Sequence, residues 1–392
     1  MSERRSGTVL LLLTVASSCS TPEPTEEQAV PLVEQIIDRD QVLELVEELR
    51  IDGNREDVAL FRVRGAALDA DRSMYVLDAG NHEIVVFDSL GAPVRTIGRE
   101  GEGPGEFTSP RSMWMSGDTL AVADSGNRFH LFRSNGEHLV TRVFLDVMDG
   151  NDFLSLGSIV RGPTGWVTVG SAYFRTDHSG NDAALAPVLR TRLFEIEWAE
   201  GVEEVGFRLT HEPVGQMVGA FFVQPPFSYS PRFVLDGLGR VHAAREPAYT
   251  IDVHSFAGEM LYRVENEYPV AEVTRQDLEQ WREGRACGPQ SVECDDSRTQ
   301  LALRMDIPSH KPVVAALVGF PSGHLAVMRS ETDPDPEDRL SMGEYDLFGP
   351  EGDFLGRLPI GLSPRWFDGT TLVATVWDEM MVPSMVRYRV GS

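Results

Sequence analysis

One tripeptide occurs three times in the chain, as Ser109-Pro110-Arg111, Ser230-Pro231-Arg232 and Ser363-Pro364-Arg365, each time leading into an apolar run of β type. Arg64 and Lys311 stand near the start of two further runs of the same kind. An arginine presents a planar fork of donors that matches carboxylate and phosphate groups. Five cations gathered at one place would therefore form a site for an anionic ligand. The bland alternative is that each cation pairs with a nearby carboxylate and that Ser-Pro only opens a strand.

Other chemistry has less support. The chain has no Gly-x-Ser-x-Gly elbow and no His-Glu-x-x-His pair, so neither a nucleophilic nor a zinc-protease site is encoded locally. His82, His130 and His254 fall on predicted strands or turns, where packing or solvent contact is the usual role. The glycine-rich Gly101–Phe107 stretch is followed by no helix and no Gly-Lys-Ser/Thr, which excludes a phosphate loop. The acidic run Asp333–Asp338 reads as a solvated loop in preference to a calcium site. No catalytic residue, metal ligand or cofactor is assigned. A net charge of −26 argues against nucleic acid as a partner, since phosphate binding needs a basic surface.

An internal repeat supplies the elements that position these cations. Residues 74–91 and 120–136 share one plan: an apolar strand, an Asp-x-Gly-Asn turn, a second strand, and a tight turn that ends on glycine. Asp hydrogen-bonds turn backbone, while Gly and Asn tolerate positive φ. The second turn recurs in Phe87/Gly91, Phe132/Gly136, Glu197/Gly201, His254/Gly258 and Phe348/Gly352. These pairs give five blades. Their inner strands are predicted at 61–68 and 74–78, 111–115 and 119–123, 156–160 and 166–170, 231–235 and 240–244, and 313–317 and 325–329. A sixth blade, from Arg365 through Arg389, is one strand short. Leu43–Ile51 is the candidate to complete it, with Leu43, Leu45, Leu49 and Ile51 on one face and Glu47 as the exception. Val42, Leu45, Val46 and Leu49 also make a helical stripe; ring closure, which removes an exposed sheet edge, decides for a strand.

Residues 75–81 and 122–128, with Gly101–Phe107 between them, resemble NHL-repeat propellers. That resemblance implies an all-β, six-bladed β-propeller over residues 42–392. Some propellers of this kind are metal-dependent lyases or hydrolases with ligands around the channel, an activity that no particular residue here can be matched to.

Two insertions interrupt the ring. Residues 171–187 form a polar excursion in blade three. Residues 270–311 read as helical, with capping motifs at Thr274–Asp277 and Ser297–Gln300. Cys287 and Cys294 lie between the two helical stretches, where a disulfide is the favoured reading in an oxidising compartment.

The N-terminus carries Arg4 and Arg5, an apolar run too short to span a bilayer, then Ala16-Ser17-Ser18-Cys19. This resembles a bacterial lipobox, with Ala16 where leucine is usual. It implies a signal peptide at 1–18, lipidation of Cys19 and a tether over 19–41. Loss of Glu3, Arg4 and Arg5 leaves 33 basic against 60 acidic residues. The expected protein is thus anchored in the cell envelope through Cys19, on the outer membrane facing the periplasm or surface. Its propeller binds an anionic small molecule, glycan or peptide, or serves as a scaffold. The alternatives are a metal-dependent hydrolase or lyase and a structural envelope protein that contacts other proteins.

Overall fold

The computed structural model describes residues 31–34, 41–144, 148–149, 152–153, 155–175, 187–199, 201–211, 216–218, 221–229, 232–245, 248–285, 297–330 and 344–391. They form a six-bladed β-propeller of antiparallel sheets, each ordered from the central channel outward. Blade one comprises Val63–Leu68, Met74–Asp78, Glu83–Phe87 and Pro93–Ile97; blade two comprises Ser112–Ser116, Thr119–Asp124, Arg128–Arg133 and His138–Val143. Blade three has the longest strands, Ser155–Arg161, Trp166–Arg175, Pro187–Glu197 and Gly201–His211. Blades four and five are built from Arg232–Leu235, Arg240–Arg245, Tyr249–Ser255 and Met260–Asn266, then Val314–Gly319, Leu325–Arg329, Tyr345–Phe348 and Phe354–Arg357.

Blade six takes Leu362–Phe367, Thr371–Trp377 and Pro383–Val390 from the C-terminus, and Leu45–Ile51 from the N-terminus pairs antiparallel with Pro383–Val390. The ring therefore closes as the sequence predicts, but the single apolar face does not hold. Glu47 pairs with Tyr388 and Leu49 with Arg387, which leaves Glu48 as an extra residue. A bulge of one residue turns the following side chains to the other face. Leu43 and Leu45 consequently pack between blades five and six, while Leu49 and Ile51 pack between blades six and one. The bulged Glu48 bridges to Arg72 of blade one at 2.5 Å.

There are six apolar clusters, one between each pair of neighbouring blades. In blade one, Met74 and Val76 face blade six whereas Tyr75 and Leu77 face blade two. Strands covered on both faces read as unbroken apolar runs, and all of Met74–Asp78 is buried. Polar ties add to this packing at the hairpins. Arg387 of blade six donates to the carbonyls of Arg72 and Ser89 in blade one at 3.3 and 3.2 Å. Arg240 of blade four likewise reaches Gly323 O at 2.6 Å and Pro350 O in blade five.

Four of the five turn glycines share one backbone solution, and Gly201 departs from it. Gly91, Gly136, Gly258 and Gly352 have φ between 85° and 95°, and Gly201 has φ 152°. Side chains with a Cβ avoid that region.

The N-terminal segment departs from the tether reading. Leu32–Glu34 adds a parallel fifth strand to Met260–Asn266 of blade four. Next, Gln41 O accepts from Arg357 N and Leu43 N donates to Arg357 O, both at 2.8 Å, along the rim of blade five. The chain thus belts three successive blades before entering blade one.

Both insertions are narrower than expected. In blade three the ladder runs out to the Arg175/Pro187 pair, so residues 171–175 are strand; 176–186 lie outside the described residues. The helical excursion contains Arg275–Arg285 and Ser297–Ala302. Its first helix starts on a reciprocal cap: Thr274 N donates to Asp277 Oδ2 at 2.8 Å, and Asp277 N donates to Thr274 Oγ1 at 3.2 Å. Cys19, Cys287 and Cys294 lie outside the described residues, as does the acidic run 333–338.

Candidate functional site

The six innermost strands surround a cavity of about 310 Å³ on the propeller axis. Every blade contributes to its lining. Two residues, Arg64 and Arg365, are charged; the rest of the lining is mainly Ala, Val, Leu, Ile, Met, Trp and Pro. Among the described residues no Asp, Glu, His or Cys lines it, in a chain where 61 acidic residues outnumber 35 basic ones. The lining offers an anion two guanidinium groups.

A shared backbone device places both arginines. In blade one Val63 pairs with Asp78 and Gly65 with Leu77, so Arg64 is the extra residue of a bulge. In blade six Pro364 pairs with Ala374 and Trp366 with Val373, so Arg365 is the extra residue of another. Bulges re-aim a side chain out of strand alternation, and they gather at functional positions. Blades one and six are neighbours in the ring, joined through Trp366.

Arg365 is half-buried by surface area, and the surface it keeps faces the cavity. Its Nε donates to Thr375 Oγ1 at 2.9 Å, and its guanidinium lies 6.0 Å from the centre of the Trp377 ring. Among the described residues it forms no ion pair. Burial lowers its pKa from the ordinary arginine value; Tyr345 raises it, and Arg64 lowers it further. Arg64 is exposed and likewise has no ion pair among the described residues. A half-buried guanidinium without a counter-charge, with a second cation close by, is costly.

The remaining three cations lie elsewhere. Arg111 precedes the innermost strand of blade two, is exposed and is not part of the cavity lining. Arg232 is the first residue of its strand in blade four, also exposed and outside the lining. Lys311 is buried in an ion pair with Asp277, Nζ to Oδ1 2.7 Å, which fastens the helical insertion to its own base. The tripeptide repeats, but its register does not. Its arginine falls before the strand in blade two, first in the strand in blade four and fourth in blade six, and only there is it bulged into the channel.

The Asp-x-Gly-Asn turns prove to be clamps. Asp78 accepts from Phe61 N at 2.8 Å, and Asn81 Nδ2 donates to Ala59 O at 2.7 Å, so both hold the lead-in to blade one. Asp124 accepts from Thr108 N at 2.7 Å and Ser109 N at 2.6 Å at the lead-in to blade two. Asn127 Oδ1 accepts from Leu156 N in blade three at 2.8 Å. These side chains fix the strands that line the channel and do not reach it.

Trp114, Trp366, Met113 and Met115 in the cavity wall were not singled out from sequence. For three of them the signal is the unbroken apolar run Met113-Trp114-Met115, but a strand packed between blades has the same pattern.

Fold and site together define a six-bladed β-propeller with a cationic channel whose lining side chains are mainly apolar. The profile of a family described as a 6-bladed beta-propeller, DUF5128, matches residues 56–155, which cover blades one and two. Among solved structures, the chain is similar to a presumed exported protein of Bacteroides fragilis, at 13% identity and TM-score 0.53 over 92% of this chain and 99% of that one. It is similar also to a member of the DUF4221 family from Bacteroides vulgatus, at 9% identity and TM-score 0.51 over 90% and 99%. Likenesses at such identities establish the shared fold. No protein of curated function matches the chain.

Proposed function

We propose that this chain is an exported binding protein whose propeller channel receives an anionic group between Arg64 and Arg365. The observation that carries the reading is a pair of cations with no counter-charge, bulged into a lining without a single acid among the described residues, in a strongly acidic protein. Clamped lead-ins at Asp78 and Asp124 support the NHL-like reading of the first two blades. Among the described residues the charged groups of the lining are two guanidiniums, which favours anion binding as the reading.

Arg365→Met tests the site. Removing a desolvated, unpaired guanidinium is expected to raise the melting temperature, because stability was given up there for function. In isothermal titration the same variant should bind benzoate at least tenfold more weakly than the natural protein, the loss expected for a charge-assisted pair. A lower melting temperature with unchanged benzoate affinity would mean that Arg365 is a structural residue and would refute the site.

Export to the cell envelope is consistent with the Bacteroides fragilis neighbour and with the lipobox-like Ala16–Cys19. The anchored form would sit on the outer membrane. Cys19→Ser is expected to move the protein from the membrane pellet to the soluble fraction and to abolish palmitate labelling. Retention in the pellet with label still incorporated would dismiss lipidation at Cys19.

A further inference from the structure

We infer that the channel selects a compact carboxylate carrying an apolar body, such as a medium-chain or aryl-substituted acid. This rests on the anion-binding reading above and specifies its ligand.

Size comes first. A cavity of 310 Å³ is at the small end of ligand pockets, so a compact ligand suits it better than an extended one. Wall chemistry comes second. Apart from the two arginines, the hydroxyls in the lining are those of Ser112 and Ser158. Ser112 Oγ already accepts from Ile159 N of blade three at 3.2 Å. The other side chains of the wall are apolar, with Ala66, Met113, Leu317 and Trp366 drawn from four different blades, and the free backbone edges of the innermost strands supply its remaining polar groups. A sugar of this size would bring about five hydroxyls to walls whose side chains are almost all apolar, and each hydroxyl left unsatisfied there is penalised. An alkyl or aryl body meets the same wall without penalty and gains from leaving water. Head-group geometry comes third. Thr375 occupies the Nε of Arg365, so its two terminal nitrogens are left for the ligand. A carboxylate accepts that end of the fork through both oxygens. Arg64, exposed on the next blade, adds charge without closing the cavity.

Titration of the full chain with butanoate, hexanoate, octanoate, phenylacetate and gluconate tests the inference. Affinity should rise about threefold to fourfold per added methylene from butanoate to octanoate. Phenylacetate should bind, gluconate should bind at least tenfold more weakly than octanoate, and Arg365→Met should weaken octanoate at least tenfold. Equal affinities for gluconate and octanoate, both lowered by Arg365→Met, would overturn the apolar-body inference and leave the anion site standing. Octanoate binding that Arg365→Met leaves unchanged, or no binding of any probe, would overturn both.

Discussion

Ile51→Asp is expected to cost about 4 kcal/mol or more of folding stability, enough to leave little of the ring folded near body temperature. Ile51 is fully buried between blades six and one, against Leu60, Val63, Met74, Phe87 and Met385. The substitution loses about 2 kcal/mol of apolar burial and places a carboxylate where no partner exists. The control lies on the same strand. Val46, five residues earlier, is 37% exposed, and Val46→Asp loses mainly strand propensity, about 1 kcal/mol or less. Urea unfolding of the two variants compares the sites directly. If Leu45–Ile51 merely decorated a ring that is already closed, the two midpoints would fall together. A large gap means that the N-terminal strand is part of the cooperative unit, since the outer strand of blade six comes from nowhere else.

That strand also shows how far periodicity carries. Leu43, Leu45, Leu49 and Ile51 are legible as inward-facing from their alternate spacing, although Val42 and Val46 interrupt the polar positions between them. The face switch at Glu48 is not, because a bulge depends on how Tyr388 and Arg387 pair across the ladder, 340 positions along the chain. The channel repeats the lesson with a functional consequence. Ser-Pro-Arg is visible three times, and sequence alone treats the copies as equivalent. Whether an arginine enters the channel depends on its offset from the hairpin and on a bulge that the tripeptide does not encode, so Arg365 enters whereas Arg111 and Arg232 do not. Arg64, outside any copy of the motif, enters by the same device in blade one. Blade number and the glycine turns were readable because they are local: a positive φ three or four residues after each strand's end is written in Gly91, Gly136, Gly258 and Gly352. Lys311 was misplaced for the opposite reason. Its partner Asp277 belongs to the far side of a 40-residue excursion, and proximity there comes from the cap at Thr274 and from the pairing of Glu272 with His310.

Asp236→Ala should destabilise the protein by about 3–5 kcal/mol at neutral pH, the cost of leaving a buried cation without its anion. Asp236 sits at the first hairpin of blade four with no exposed surface. Its Oδ2 accepts from Arg240 Nε at 2.7 Å and His242 Nε2 at 2.8 Å, and its Oδ1 accepts from Leu238 N at 2.9 Å. The anchored Arg240 then reaches the blade-five carbonyls of Gly323 and Pro350, so one carboxylate organises the tie between two blades. Adding Arg240→Met to the variant should recover part of the loss, because a missing pair is cheaper than half of one. The pH dependence is a second, independent reading. Burial raises the pKa of Asp236, but His242 and Arg240 outweigh it and hold the carboxyl below the ordinary aspartate value. A depressed folded-state pKa gives stability that is complete above the unfolded value of about 3.9 and is lost as pH falls through the folded one. The gap between natural protein and variant should therefore be widest above pH 4 and narrow below it. Asp346, between the same two blades, works in reverse: burial pushes its carboxyl up against the pull of Arg329, so its contribution favours acid and fades as pH rises. Only the Asp236 contribution disappears in the variant. A stability difference that stayed constant through the acid range would show that the carboxylate acts by shape alone, without the charge that Arg240 and His242 require.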